Sequence, residues 1–325
     1  MPSRNPPRVP DSLISADRSA VLTCLALLLL NAGCVRTLVN RRLDRPDRYT
    51  IVRDQLVIHC DFEVPARHRL LDELTARRED LRRELAYASS EEPIHVYLFE
   101  DANRFKEFVR EEHPGFPNRR AFFVESDTRL EVYAHWGGYV GEDLRHEVTH
   151  AYLHSVLPDI PLWLDEGLAE YFEVPRGRHG LNRDHLVRIL ARDDATAADS
   201  SSARPPRERL YRLPNLARLE SLDSEQVLPQ DDYAECWAWV HFLLESSTET
   251  KTLLREYLYR LHVDGSTVPL SSRMAWRLGL TADQLADRMA EHILETARSA
   301  GFTDSAGGAP AREERPDTLG SSDVQ

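Results

Sequence analysis

The chain has 325 residues, and 54 acidic against 41 basic side chains give it a formal net charge of −13. With that balance, and with no run of lysine or arginine free of interleaved acids, a nucleic-acid surface built on charge is excluded. The length allows one folded unit plus a further lobe, and there is no internal repeat to suggest a solenoid.

In chain order, Arg4, Arg8 and Arg18 lie in a polar leader. An apolar core from Ala20 to Leu30 follows, then Asn31-Ala32-Gly33-Cys34. This is the order of an export signal. The uncharged run, roughly 16 residues, is short for a spanning helix of about 20. From Arg48 to Phe62 the pattern predicts a strand. Pro65 to Tyr87 predicts an amphipathic helix whose apolar stripe is Leu70, Leu71, Leu74, Leu81 and Leu85. Arg77-Arg78 and Arg82-Arg83 alternate there with acids, as on a solvated face. Ile94 to Phe99 reads as a strand, and Asp101 caps a helix carrying Phe105, Phe108 and Val109. Ala121 to Val124 and Leu130 to Ala134 read as a hairpin turning at Ser126-Asp127-Thr128.

A helix then begins with Glu142 and Asp143 in its first turn, and Leu144, Val148, Ala151, Tyr152 and Val156 form its apolar face. Pro158 and Pro161 break it, and a second short helix runs from Pro161 through Glu173 before Val174-Pro175 stops it. Past Pro175 the sequence reads as mainly helical, near 184–192, 234–244, 250–261, 271–278 and 281–300. A Ser-, Ala- and Asp-rich connection spans 193–207, and the composition of 301–325 predicts disorder. The expected organisation is a leader over 1–34, a sheet with the site helices over 45–175, a helical lobe over 176–300, and the tail. The fold class expected is α+β: a small mixed sheet packed on the helix of Glu142 onward, followed by the helical lobe.

The chemistry is concentrated in His146-Glu147-Val148-Thr149-His150. Positions i and i+4 of a helix share a face, so both imidazoles can reach one metal ion, with Glu147 beside them to take a proton from a bound water. Glu166, on the next helix, can complete a His, His, Glu set with a fourth position open. Glu170, one turn further, suits an acceptor for the free N–H of a ligand histidine. His154 extends the row of histidines but lies about 12 Å from His146 along the helix, too far to share one ion. It reads as a wall or surface residue. Val156 stands where a third histidine would be needed for the metzincin spacing.

HEVTH followed by WLDEGLAEYFE resembles the gluzincin zinc metallopeptidases, in which HExxH is followed by a helix bearing W-x-x-EG-x-A-x-Y-x-E. It is most similar to the small bacterial peptidase MA-like domains and more distantly to aminopeptidase N-like enzymes. The close likeness covers His146 to Glu173, and a looser one extends from about Glu92 to Phe242. The resemblance implies a zincin-like fold, one Zn²⁺ held by His146, His150 and Glu166, and Glu147 as general base. It also implies a tyrosine opening a downstream helix to bind the oxyanion. Tyr233, after Gln230-Asp231-Asp232, is the candidate, its other reading being a core tyrosine at a helix start. His241 is a lesser candidate for that role, its other reading a packed histidine. The G-x-M-E-N segment with which aminopeptidases grip a free amine has no counterpart upstream of His146. Endopeptidase action is therefore expected over aminopeptidase action, on a peptide or protein substrate. By the same resemblance, Arg129 to Ala134 would be an edge strand that binds the peptide by strand addition.

Asn31-Ala32-Gly33-Cys34 resembles a bacterial lipobox, with asparagine where leucine is usual. Lipidation of Cys34, ordinary signal cleavage and an uncleaved anchor stay open; a lipoprotein at the cell envelope is expected first, and otherwise a secreted or periplasmic protein. Val35 after the cysteine suggests the outer membrane by analogy. Cys60 and Cys236 are the cysteines left in the mature protein, either as one disulfide or as two separate thiols. The rival to an enzyme is a catalytically silent, zinc-binding envelope lipoprotein that binds peptides or partners. A silent module does not need Glu147.

Overall fold

The computed structural model describes residues 45–190, 210, 214–223, 227–265 and 267–302. The leader with Cys34, the 193–207 connection and residues 303–325 of the expected tail lie outside the described residues. The protein divides into two compact units. Of the first, only Arg45 and Lys106–Pro117 are described; within it the His113 ring meets Phe108 and Phe116 edge-on. The second, Pro46–Phe105 with Asn118 onward, holds the sheet and every described candidate residue.

Five strands form one mixed sheet in the order β1-β2-β3-β5-β4. They are β1 (Tyr49–Arg53), β2 (Leu56–Cys60), β3 (Ile94–Phe99), β4 (Ala121–Ser126) and β5 (Arg129–His135). The segment expected as one strand from Arg48 to Phe62 is an antiparallel hairpin, folded at Asp54-Gln55 with Asp54 at φ 53°. Aspartate tolerates that left-handed conformation without the glycine that usually announces such a turn. β3 runs parallel to both β2 and β5 and is buried along nearly its whole length. That explains its unbroken apolar character. The β4–β5 hairpin turns at Asp127-Thr128, as the sequence predicts. The edge strand on that side is β4; β5, expected at the edge, is internal.

One face of the sheet presents Leu56, Ile58, Cys60, Ile94, Val96, Leu98, Leu130, Val132 and Ala134 to the core. There they join the leucine stripe of α1 (Arg69–Leu85) and Leu144, Val148, Ala151 and Tyr152 of α3 (Val140–His154). Across the opposite face His59, Tyr97, Tyr133 and Phe122 occupy paired positions on four strands. Their rings stack in a ladder with centroids 4.8, 5.0 and 5.1 Å apart. Cross-strand ring pairs of this kind hold strand register. Between β3 and β4 lies α2 (Ala102–Glu112), whose first turn is capped by Asp101: Oδ1 accepts from the backbone N–H of Asn103 and of Arg104.

After α3 come α4 (Leu162–Glu173), α5 (Arg183–Leu190), the single turn α6 (Leu216–Leu219), α7 (Gln230–Glu245), α8 (Thr248–Asp264), α9 (Leu270–Leu278) and α10 (Ala282–Ser299). The fold is thus α+β, a mixed five-stranded sheet followed by a helical C-terminal region. α7 is buried almost all round, with Trp237, Trp239, Val240 and Leu243 inside, so it shows little amphipathic pattern. It presses closely on α4 at Gly167. A Cβ there would stand 2.6 Å from the carbonyl oxygen of Cys236 and 2.7 Å from Val240 Cγ2. The glycine beside Glu166 is therefore what lets the helix bearing Tyr233 come this close to the helix bearing Glu166.

Candidate metal centre

Helical spacing stacks His146 and His150 one turn apart on α3, with their Nε2 atoms 3.1 Å from each other. From α4, Glu166 Oε2 lies 3.5 Å from each of the two nitrogens. Three ligands held about 2.0–2.1 Å from a tetrahedral zinc ion would sit about 3.3–3.4 Å apart. The observed triangle of 3.1, 3.5 and 3.5 Å brackets that spacing. Glu166 Oε2 is buried and receives no well-directed hydrogen bond, the situation a cation would relieve. The three donors fit a zinc ion in identity, distance and burial.

A second layer fixes the imidazoles. His146 Nδ1 faces Glu173 Oε2 at 3.1 Å, and Glu173 Oε1 accepts from Asn182 Nδ2 at 2.8 Å. His150 Nδ1 lies 2.9 Å from Asp165 Oδ1, an ion-pair contact off the hydrogen-bond line. The other oxygen of Asp165 meets His154 Nε2 at 3.1 Å, and His154 Nδ1 reaches Glu125 on β4 at 2.6 Å. Glu170 does not take the place expected of it. Its Oε2 pairs with His185 Nε2 at 2.7 Å, because α5 brings His185 against that face of α4. Glu173 serves His146 instead. Asp165 and Glu173 were both missed by the sequence reading, although one adjoins Glu166 and the other follows it by seven residues, two turns along the same face.

Charge is balanced tightly. Burial pulls the pKa of His146 down, but the Glu166 and Glu173 carboxylates beside it outweigh burial and hold the ring well above its ordinary value. Burial likewise lowers His150, and the Asp165 carboxylate overrides it to about 10. Burial would raise Glu166, yet the two histidines hold it down to about 2. A metal bound among these groups would compete with protons for the imidazole nitrogens. Glu147 is shifted upward, chiefly by burial.

A cavity of about 570 Å³ opens beside these groups, lined among others by His146, Glu147, Arg119, Glu170, His185 and Tyr233. Tyr233 sits in the first turn of α7, 8% exposed, with its hydroxyl 3.5 Å from Arg119 Nη2. Burial raises its pKa, so the phenol keeps its proton. The sequence-predicted residues His146, Glu147, His150, Glu166 and Tyr233 are therefore brought together. His241 is not among them: it bonds His292 at 2.9 Å and packs on Trp237 and Tyr171, the packed reading. Cys60 and Cys236 are separate buried thiols.

Residues 142–260 match the family described as "Protein of unknown function (DUF1570)". No curated protein matches the sequence. The matched segment begins in the first turn of α3 and ends within α8, so it contains the histidines, Glu166, both second-layer carboxylates and Tyr233. Arg119 and the edge strand β4 precede it. The family's description carries no activity, and the chemistry rests on the residues themselves.

Proposed function

We propose that this protein is a zinc-dependent metallopeptidase of the gluzincin type with a zincin-like fold, acting within peptide chains at the cell envelope. The observation that carries the reading is the His146, His150, Glu166 triangle, at tetrahedral-zinc spacing, beside a cavity lined by Glu147 and Tyr233. A zinc ion bound there would supply Lewis acidity toward a carbonyl and lower the pKa of a water to about 7.

The protein's own residues do the rest. Glu147 takes a proton from the attacking water and later delivers it to the leaving nitrogen, a role suited to a carboxylate whose pKa burial has raised. Tyr233 donates its phenolic hydrogen toward the oxyanion. Glu173 and Asp165 hold the ligand rings in one tautomer and orientation. Edge strand β4, whose Phe123 ring stacks on His150 at 6.3 Å, offers unpaired backbone groups to an extended peptide. No helix among the described residues is long and apolar enough to cross a membrane. The envelope location and a lipid anchor at Cys34 belong to the proposal on the leader's sequence alone.

The test compares wild type with Glu147→Gln for bound zinc and for cleavage of an unbiased peptide library. Zinc in both and cleavage reduced about 10²–10⁴-fold in the variant is expected. Equal cleavage would remove Glu147 from its role, and absence of zinc from both would sink the reading.

A further inference from the structure

Arg119 stands apart from the other cations of the cavity. Arg120 is paired with Asp143 at 2.7 Å, Arg188 with Asp231 at 3.2 Å and His185 with Glu170 at 2.7 Å. His146 lies between Glu166 and Glu173. Among the described residues Arg119 is the one cation lining the cavity without a carboxylate within ion-pair distance, and its polar contact is the Tyr233 hydroxyl. It is exposed, so water solvates it in the free protein. A peptide laid along the cavity would strip that water away. A guanidinium losing its solvent without gaining an anion makes the complex costly. The same guanidinium facing a carboxylate gains a charge-assisted, two-pronged contact. Glu142 and Asp143 on the same wall are both bridged to Arg120, so neither supplies Arg119 with a partner.

The place of Arg119 in the fold says where that carboxylate would lie. It precedes the first residue of edge strand β4 by two positions. Phe123, four residues further on, is level with His150. With Arg120 in a bend and Ala121 to Phe123 extended, the backbone from Arg119 to Phe123 spans less than the about 13 Å of four extended residues, so the recognised group lies within about two residues of the bond cut.

We propose that Arg119 is a specificity residue that binds a substrate carboxylate near the scissile bond, making the cleft selective for acidic peptides. The carboxylate is an Asp or Glu side chain of the peptide; a free C-terminus, the same chemistry from another source, would make the cut a removal of C-terminal residues and is the other arm of the test. This inference rests on the peptidase reading above, and its test separates the two.

The probe is a set of decapeptides in which each position in turn is Glu, Gln or Lys, every peptide made with a free and with an amidated C-terminus. Cleavage by the zinc-loaded full-length protein is followed by mass spectrometry. Retention is measured on the immobilised Glu147→Gln variant, so that binding is read without turnover. Wild-type Arg119 should favour the peptide carrying the carboxylate over its neutral twin by about 10- to 100-fold in both assays. The ratio should fall toward one in Arg119→Met and turn in favour of Lys in Arg119→Glu. A preference set by Glu against Gln assigns a side-chain source, and one set by acid against amide assigns the C-terminus. A wild-type ratio near one, or a ratio unchanged in Arg119→Glu, would overturn the proposal. If zinc binds but nothing is cut, the hydrolytic reading fails while the retention ratios still decide the role of Arg119.

Discussion

Two of the close histidine pairs in this molecule have almost the same spacing and opposite surroundings. His146 and His150 approach to 3.1 Å, and His241 and His292 to 2.9 Å. The first pair is surrounded by Glu166, Glu173 and Asp165, which lift both rings above their ordinary pKa against the pull of burial. The second sits among Trp237, Tyr171 and Phe242, where burial pushes His241 down to about 3 and His292 to about 4. Two close imidazoles are therefore not sufficient for a cation site. Buried carboxylates make the difference, because they favour a positive charge on or between the rings, which aromatic neighbours do not. Both clusters hang on the α4–α7 contact, since α4 carries Glu166 and α7 carries both Tyr233 and His241.

Taking carboxylates from the first pair should make it behave more like the second. Asp165→Asn or Glu173→Gln leaves the three proposed ligands in place but loosens a ring, and zinc affinity should fall about 10- to 100-fold, read by competition with a chelating dye. Disturbing the shared contact should affect fold rather than charge. Gly167→Ala drives a methyl group into the carbonyl of Cys236 and should cost about 1–3 kcal/mol of stability, measured by denaturant unfolding of the zinc-free protein.

The smallest effect concerns the neutral pair and pH. Folded His241 and His292 titrate below the unfolded value of about 6.5, so between these values the unfolded protein binds more protons. Their contribution to stability is full above pH about 6.5 and is lost as pH falls toward about 4 and then about 3. In a melting-temperature series, His292→Leu should flatten that acid-side loss relative to wild type. An unchanged slope would show that the pair is not held neutral.

Much of the candidate metal centre could be read from the sequence because a helix converts spacing into geometry. His146 and His150 must share a face, and Glu166 on the next amphipathic helix needed only a turn at Pro158–Pro161 to return past them. The second layer was less legible. Helical spacing made Glu170 a reasonable acceptor, but the arrival of His185 on α5 decided its partner, and tertiary approach of that kind leaves no periodic trace. The same holds for the sheet. Strand positions followed from alternation, whereas the order β1-β2-β3-β5-β4, which makes β4 the edge, depends on β3 being inserted beside β5. The Asp54-Gln55 turn escaped notice for want of a glycine. Arg119 had no sequence signal at all; it becomes conspicuous only when the neighbouring cations are seen to be paired.

The central claim is that buried carboxylates turn one histidine pair into a zinc site. Calorimetric titration of the full-length protein with zinc, in wild type, Glu166→Ala and His292→Leu, tests it most directly. One ion per molecule is expected in wild type and in His292→Leu, with affinity reduced at least about 100-fold in Glu166→Ala, which removes a ligand. Zinc binding that is absent from wild type, or that survives undiminished in Glu166→Ala, would contradict it.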